Sequence, residues 1–348
     1  MLSGRRVSPA TRPDRAGSAA SPPACRADQG SRVTRAAAIL CAMVAEAASR
    51  ARPRARSPLA LGAWLVMLAA SALPRILVQE LWPDGLAWVR PAQLAALLAA
   101  LAATSVVERC RPLKLVVAIF GIVHIAEWLV FAVATWLAPL ISGEGGGFVA
   151  AMAAVQAPRL ALALVVIAAA LPLFGDRRAF FLARGDLTAP AAPIRGIGML
   201  KPTRWNRLAP ILTVCLAGGT FTFLLLAGGA PLANLAAAVP LLPFVLGFAA
   251  INAFGEEVTY RAPQLAALQP VVGATHGLLI TAAYFGIAHY YGVPYGIVGV
   301  VMSAALGWLL GRSMLETKGL FWAWFIHFVM DVAIFTFLAA GSVTPGGG

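Results

Sequence analysis

The sequence predicts an all-α protein: a multi-pass transmembrane helix bundle of eight or nine spans, behind a disordered basic N-terminal tail. Three observations lead there. First, 60% of the 348 residues are hydrophobic and only 12% are charged, with a mean hydropathy of +0.81. A soluble domain carries about twice that share of charge. Second, apolar runs of roughly 20 residues recur, each long enough to cross a hydrocarbon core about 30 Å thick as a helix. Third, the runs are continuous rather than alternating, which argues against a β-barrel.

Taken in order, residues 1–56 come first. They are rich in Arg, Ala, Ser and Pro and are expected to be a disordered cytoplasmic tail. They hold 11 Arg against Asp14, Asp28 and Glu46, so +8 of the net +13 sits there. A basic tail can signal nucleic acid, but arginines before a first span hold that end in the cytoplasm, and no nucleic-acid partner is expected. The first 35 residues contain no apolar run of signal-peptide type, and Met43 offers a second candidate start. Cys25, Cys41, Cys110 and Cys215 have no metal or disulfide spacing.

Nine apolar stretches follow, near 59–78, 91–107, 115–140, 148–174, 209–229, 233–260, 276–292, 295–311 and 319–340. They divide into an N-terminal four-helix part (57–174), a basic linker (175–208) and a five-helix core (209–340), with a flexible end at 341–348. Segments 108–114, 175–208 and 312–318 carry the excess of Lys and Arg, whereas the loops at 79–90 and 142–147 are acidic or nearly uncharged. Nine spans with a cytoplasmic N-terminus put every basic loop inside and the C-terminus outside. The lipid bilayer is the expected partner and the cell membrane the expected location.

Ionisable groups inside a span cost about 2.5–3.5 kcal/mol each on insertion scales, so each needs a reason. In the second half they concentrate at three places. Glu256 and Glu257 are followed by Arg261, and Glu257 and Arg261 are i,i+4 on a helix and can pair. That leaves Glu256 on a neighbouring face, suited to exchange protons with a reacting group. Phe285 and His289 share a face in the seventh stretch. His327 and Asp331 share one in the last. Taken singly, each has a plain structural reading: an interfacial pair, a packed core histidine, an Asp that fixes a His tautomer. His124 and Glu127, i,i+3 in the third stretch, read as a packed polar pair, and Arg159 as a side chain that snorkels or pairs with another helix. Glycines 296, 299, 307 and 311 allow close packing of the eighth stretch.

Together the order EExxxR, FxxxH, HxxxD resembles that of the CPBP (CAAX protease and bacteriocin-processing) intramembrane proteases, Rce1-like. The segment Phe181-Leu182-Ala183-Arg184-Gly185-Asp186-Leu187 also looks like that family's linker. The resemblance spans roughly 180–340. It implies a glutamic-type endopeptidase acting on peptides or membrane-tethered proteins at a cytoplasm-facing cavity. Glu256 and His289 would hold and activate water, and His327 with the residue at 331 would face the carbonyl oxygen. Glu257, Arg261 and Phe285 would be structural support. Prenyl-processing members carry Asn where this chain has Asp331. An ionised Asp cannot donate to an oxyanion, so Asp331 would act protonated or by orienting His327.

No cofactor is favoured. Glu256, Glu257, His289 and His327 could instead bind zinc, since two His and a carboxylate make a catalytic zinc set, although no HExxH is present. Two other functions fit the same residues: a catalytically idle binding, immunity or scaffold member, and a proton-coupled transporter. Depth poses a problem for all of these. Counted at 1.5 Å per residue from the cytoplasmic helix ends, Glu256 lies about 9 Å in, His327 about 12 Å and His289 about 20 Å. They can meet only if the seventh helix begins several residues earlier, inside the cytoplasm.

Overall fold

The computed structural model describes residues 58–141, 147–227 and 232–343. The tail expected over 1–56 lies outside the described residues, as do 344–348. Helices run α1 (Pro58–Ala70), α2 (Leu73–Leu81), α3 (Leu86–Val106), α4 (Lys114–Ile141), α5 (Phe148–Phe174), α6 (Trp205–Ala227), α7 (Leu232–Ala237), α8 (Leu242–Tyr260), α9 (Ala262–Ala288), α10 (Ile297–Thr317) and α11 (Phe321–Ser342). Seven helical stretches among the described residues are long and apolar enough to span a membrane, or eight if α1 and α2, bent by 54°, form one span. One of the seven, 239–288, contains both α8 and α9. The expected multi-pass bundle is therefore what the chain forms, with seven or eight candidate spans among the described residues against the eight or nine expected. Its last helix continues through Gly341 and Ser342.

The ends of these helices follow from local sequence. α5 stops at Gly175, whose left-handed φ of 75° suits a residue without a Cβ. α8 ends where Arg261 leaves the helical region, with Pro263 starting the next helix. The linker contains a two-residue antiparallel ladder, β1 (Pro190–Ala191) with β2 (Thr203–Arg204), and an isolated bridge between Ile194 and Met199.

The seventh stretch differs most from expectation. Its helix begins at Ala262, not near 276, and breaks at Gly273, whose φ of 79° and ψ of 169° belong to a region open in practice to glycine alone. The two halves fold back on each other: a Cβ at Gly277 would lie 3.3 Å from Leu265 Cδ1 and 3.6 Å from Leu268 Cβ. In a straight helix, residues 268 and 277 would be about 13 Å apart along the axis. Gln264, Gln269 and Pro270 interrupt the hydropathy of 262–272, which hides this half-helix in the sequence. The detour of 262–272 before the chain re-enters removes the depth problem for His289.

The second half of α9 then packs against α10 at glycine. A Cβ at Gly286 would stand 2.5 Å from the Val300 carbonyl oxygen, and one at Gly307 3.1 Å from Phe285 and 3.2 Å from Arg261. Gly307 and Gly311 thus serve close packing as expected. Gly296 does not: nothing lies within 4 Å of its would-be Cβ, and its φ of 76° serves the turn into α10.

The linker docks on the α10–α11 turn. Asp186 N–H donates to the Thr317 carbonyl at 2.8 Å, and Leu320 N–H donates to the Ala183 carbonyl at 2.8 Å. Gly185 and Gly319 are back to back, so close that a Cβ on Gly319 would lie 2.4 Å from Gly185 N. The Asp186 carboxylate accepts from the Thr188 hydroxyl and amide, which holds its pKa below the ordinary carboxylate value. Trp205 Nε1 donates to Glu316 at 2.8 Å, and Arg312 pairs with the same carboxylate at 2.9 Å.

Candidate active site

Four of the residues singled out in the sequence, Glu256, His289, His327 and Asp331, meet in one cluster. α8 and α11 run side by side, which brings Glu256 and Glu257 level with His327. Glu256 Oε2 lies 3.6 Å from His327 Nε2 and 3.8 Å from His289 Nε2. Asp331 Oδ2 lies 3.8 Å from His327 Nε2.

Both imidazoles are oriented from behind. His289 caps the C-terminus of α9, and its Nδ1 is 2.8 Å from the Phe285 carbonyl oxygen, so Nδ1 carries the proton. His327 Nδ1 donates to Glu257 Oε1 at 2.9 Å. Each Nε2 then turns toward Glu256 Oε2. Phe285 packs between the histidines, with ring centroids 4.4 Å from His289 and 5.9 Å from His327. The Arg261 guanidinium lies over the same ring at 4.7 Å.

Glu257 and Arg261 form their ion pair with both side chains fully buried, and Arg261 Nε also donates to the Gly307 carbonyl at 3.1 Å. The two oxygens of Glu257 thus face Arg261 and His327. Among the described residues, no group of three or more His, Cys, Asp or Glu side chains is arranged as a metal site.

Two residues not assigned to the site complete it. Arg159 of α5 pairs with Glu256 Oε1 at 3.3 Å and donates to the Asn252 side-chain oxygen, Oδ1. Asn252 Nδ2 bridges Glu256 Oε1 at 3.2 Å and Asp331 Oδ2 at 3.0 Å. Arg159 was expected to snorkel or pair with another helix, and it pairs. Asn252 carried a signal that was overlooked: it is a buried amide one turn from Glu256 in an apolar helix. Asp331 is held by Asn252, not by His327, whose orienting partner is Glu257.

Glu256 Oε1 is thus anchored while Oε2 is left facing two imidazole nitrogens. The Glu256 side chain is 13% exposed and that of His289 32%, against 5% for His327. The cluster is least covered at Arg159 and His289. Separately, an open cavity of about 310 Å³ lies against the linker, lined by Arg177, Leu182, Arg184, Phe254, Phe321 and Trp324. The four clustered residues do not line it, but Phe254 is two residues from Glu256 and Trp324 three from His327.

The chain is a multi-pass membrane protein with a polar cluster buried among its late helices. Residues 238–333 match the model of a family described as type II CAAX prenyl endopeptidase Rce1-like. That segment contains all three motifs, and over it the resemblance read from them holds. No curated protein and no solved structure matches the chain.

Proposed function

We propose that this protein is a membrane-embedded endopeptidase in which Glu256 and His289 activate water without a metal. The observation that carries the reading is the split of Glu256: one oxygen tied to Arg159 and Asn252, the other 3.8 Å from His289 Nε2. Two acceptors at that separation can both reach one water at about 2.8 Å. In the proposed step this water gives a proton to Glu256 as its oxygen attacks the scissile carbonyl. His327, protonated at both ring nitrogens in this step, donates from Nδ1 to Glu257 and from Nε2 to the oxygen of the tetrahedral intermediate. Glu256 returns the proton to the leaving amine, and the C–N bond breaks. Asp331 Oδ2 accepts from Asn252 Nδ2 at 3.0 Å, which favours a holding role over oxyanion donation.

The matched family's description supports a peptide bond near a membrane as the target, and we assign peptides or membrane-tethered proteins as substrates. Arg177 and Arg184 belong to the basic linker and line the 310 Å³ cavity, which supports approach from the cytoplasmic side, with the N-terminus inside.

The test is cleavage of a peptide library by the purified protein in detergent, with and without a chelator. Chelator-resistant cleavage that is lost in Glu256→Gln is expected. Cleavage abolished by chelator and restored by zinc would replace the mechanism with a metal-dependent one. Cleavage unaltered by Glu256→Gln would remove Glu256 from it.

A further inference from the structure

A second polar cavity, of about 90 Å³, lies behind the cluster. It is lined by Ser71, Arg75, Arg90, Gln93, His124, Glu127, Tyr260 and Tyr284, with Ala288. The proposed reaction uses none of these groups. Two of the cavity's walls nevertheless belong to the site: Ala288 precedes His289, and Tyr260 sits one turn beyond Glu256, about 6 Å along α8. The Tyr260 ring also packs on Phe285, at 5.9 Å between centroids.

We infer that this cavity is an oxyanion-binding site, made to hold a phosphate or carboxylate group beside the proposed catalytic cluster. Three observations support this. The first is charge. Two guanidiniums and an imidazole face one carboxylate, and among the described residues neither Arg75 nor Arg90 has an acidic oxygen within 4.0 Å. The three basic groups outnumber the single carboxylate of Glu127, and a bound anion would balance them. The second is an unsatisfied donor or acceptor. His124 is only 7% exposed, and its Nε2 has no hydrogen-bond partner. Gln93 Nε2, by contrast, ties α3 to the α1 bend by donating to the Ala69 and Ser71 carbonyls, at 2.7 and 2.9 Å. It gives the cavity a fixed wall.

The third is size. A space of about 90 Å³ has room for a small group such as one tetrahedral or trigonal oxyanion. The bend between α1 and α2 brings Arg75 to the cavity mouth, where it is exposed, and Arg90 and His124 lie deeper. Two sources supply such a group: a lipid headgroup phosphate from the surrounding leaflet, or a small soluble oxyanion. In either case a bound anion would sit one residue from His289.

The full chain, purified in detergent, is titrated with inorganic phosphate against chloride at matched ionic strength, and thermal unfolding is followed. In parallel, native mass spectrometry scores phosphatidylglycerol retained by the protein. A phosphate-specific rise in Tm, or a retained lipid, is expected for the wild type. Arg75→Gln with Arg90→Gln should weaken the response by tenfold or more, since charge-assisted contacts dominate it. Response to phosphate alone identifies a soluble oxyanion, and retention of lipid alone identifies a headgroup. If the double variant does not fold, the exposed Arg75→Gln alone and His124→Gln carry the same comparison. Equal responses in wild type and variants, or no response to either probe, overturn the proposal.

Discussion

Glu257 joins two helices through its two oxygens: Oε1 accepts from His327 Nδ1 of α11 at 2.9 Å, and the other pairs with Arg261 one turn along α8. One carboxylate therefore neutralises a buried guanidinium and sets the tautomer of an imidazole 70 residues away. Its neighbour Glu256 faces the other nitrogen of the same imidazole, Nε2, at 3.6 Å, and is paired with Arg159 rather than Arg261.

Removing the guanidinium should therefore act on folding first. Arg261→Ala leaves Glu257 buried without its cation, a change that typically costs about 3–5 kcal/mol. The yield of folded protein in detergent should fall sharply. Protein that survives purification should retain its rate per folded molecule within a few-fold. Normal yield with abolished turnover would instead place Arg261 in the chemistry.

Glu256→Gln keeps the shape and most contacts of the side chain but removes the base. Loss of kcat by about 10²- to 10⁴-fold is expected, with little change in unfolding temperature. Peptide cleavage and a thermal melt on the same preparation measure both quantities.

Arg159 and Asn252 hold Glu256 without being placed to touch a substrate, so their loss should spread the rotamers of Glu256. Arg159→Gln removes a charge-assisted contact worth about 1.5–3 kcal/mol. We expect kcat to drop roughly tenfold or more with KM nearly unchanged, and Arg159→Lys to restore part of it. A change confined to KM would assign Arg159 to substrate binding.

The approach of α9 to α10 leaves no room for a methyl group at Gly286. Gly286→Ala would set a Cβ 2.5 Å from the Val300 carbonyl oxygen and 2.8 Å from the Ala304 Cβ, so the helices must part. Overpacking of this kind costs about 1–3 kcal/mol. Because His289 caps α9 three residues later, cleavage should fall along with Tm. Gly341→Ala, with nothing within 4 Å, is the control and should leave both unchanged.

Much of this architecture was legible because hydropathy in a bilayer is read over 20 residues at a time. α4 and α5 fall within a residue or so of their expected limits. The i,i+4 pairing of Glu257 with Arg261 was legible for the same reason, since helix geometry alone fixes it. What could not be read is whatever depends on contacts between helices. Nothing in sequence spacing ties Glu257 to His327, or Asn252 to Asp331. The half-helix 262–272 was hidden because its glutamines lower the hydropathy, although it buries Gln264 completely. Phe285 was read as support from a one-turn spacing to His289; its contact with His327 required the fold-back at Gly273.

The Arg159–Asn252 contact links positions 93 residues apart. Chains are made at about 5–20 residues per second, so Arg159 is synthesised about 5–20 s before its partner amide. During that interval the guanidinium has to be accommodated by lipid, water or the insertion machinery. Nascent chains halted at residue 230 should therefore hold α5 displaced toward one face of the bilayer. Chains halted past α8 should draw it in, and the Arg159→Leu chain should show no difference between the two. Glycosylation mapping on ribosome-bound intermediates would read the shift. The residue that anchors Glu256 in the finished protein is, during its biogenesis, the one that makes the early half of the molecule wait for the late half.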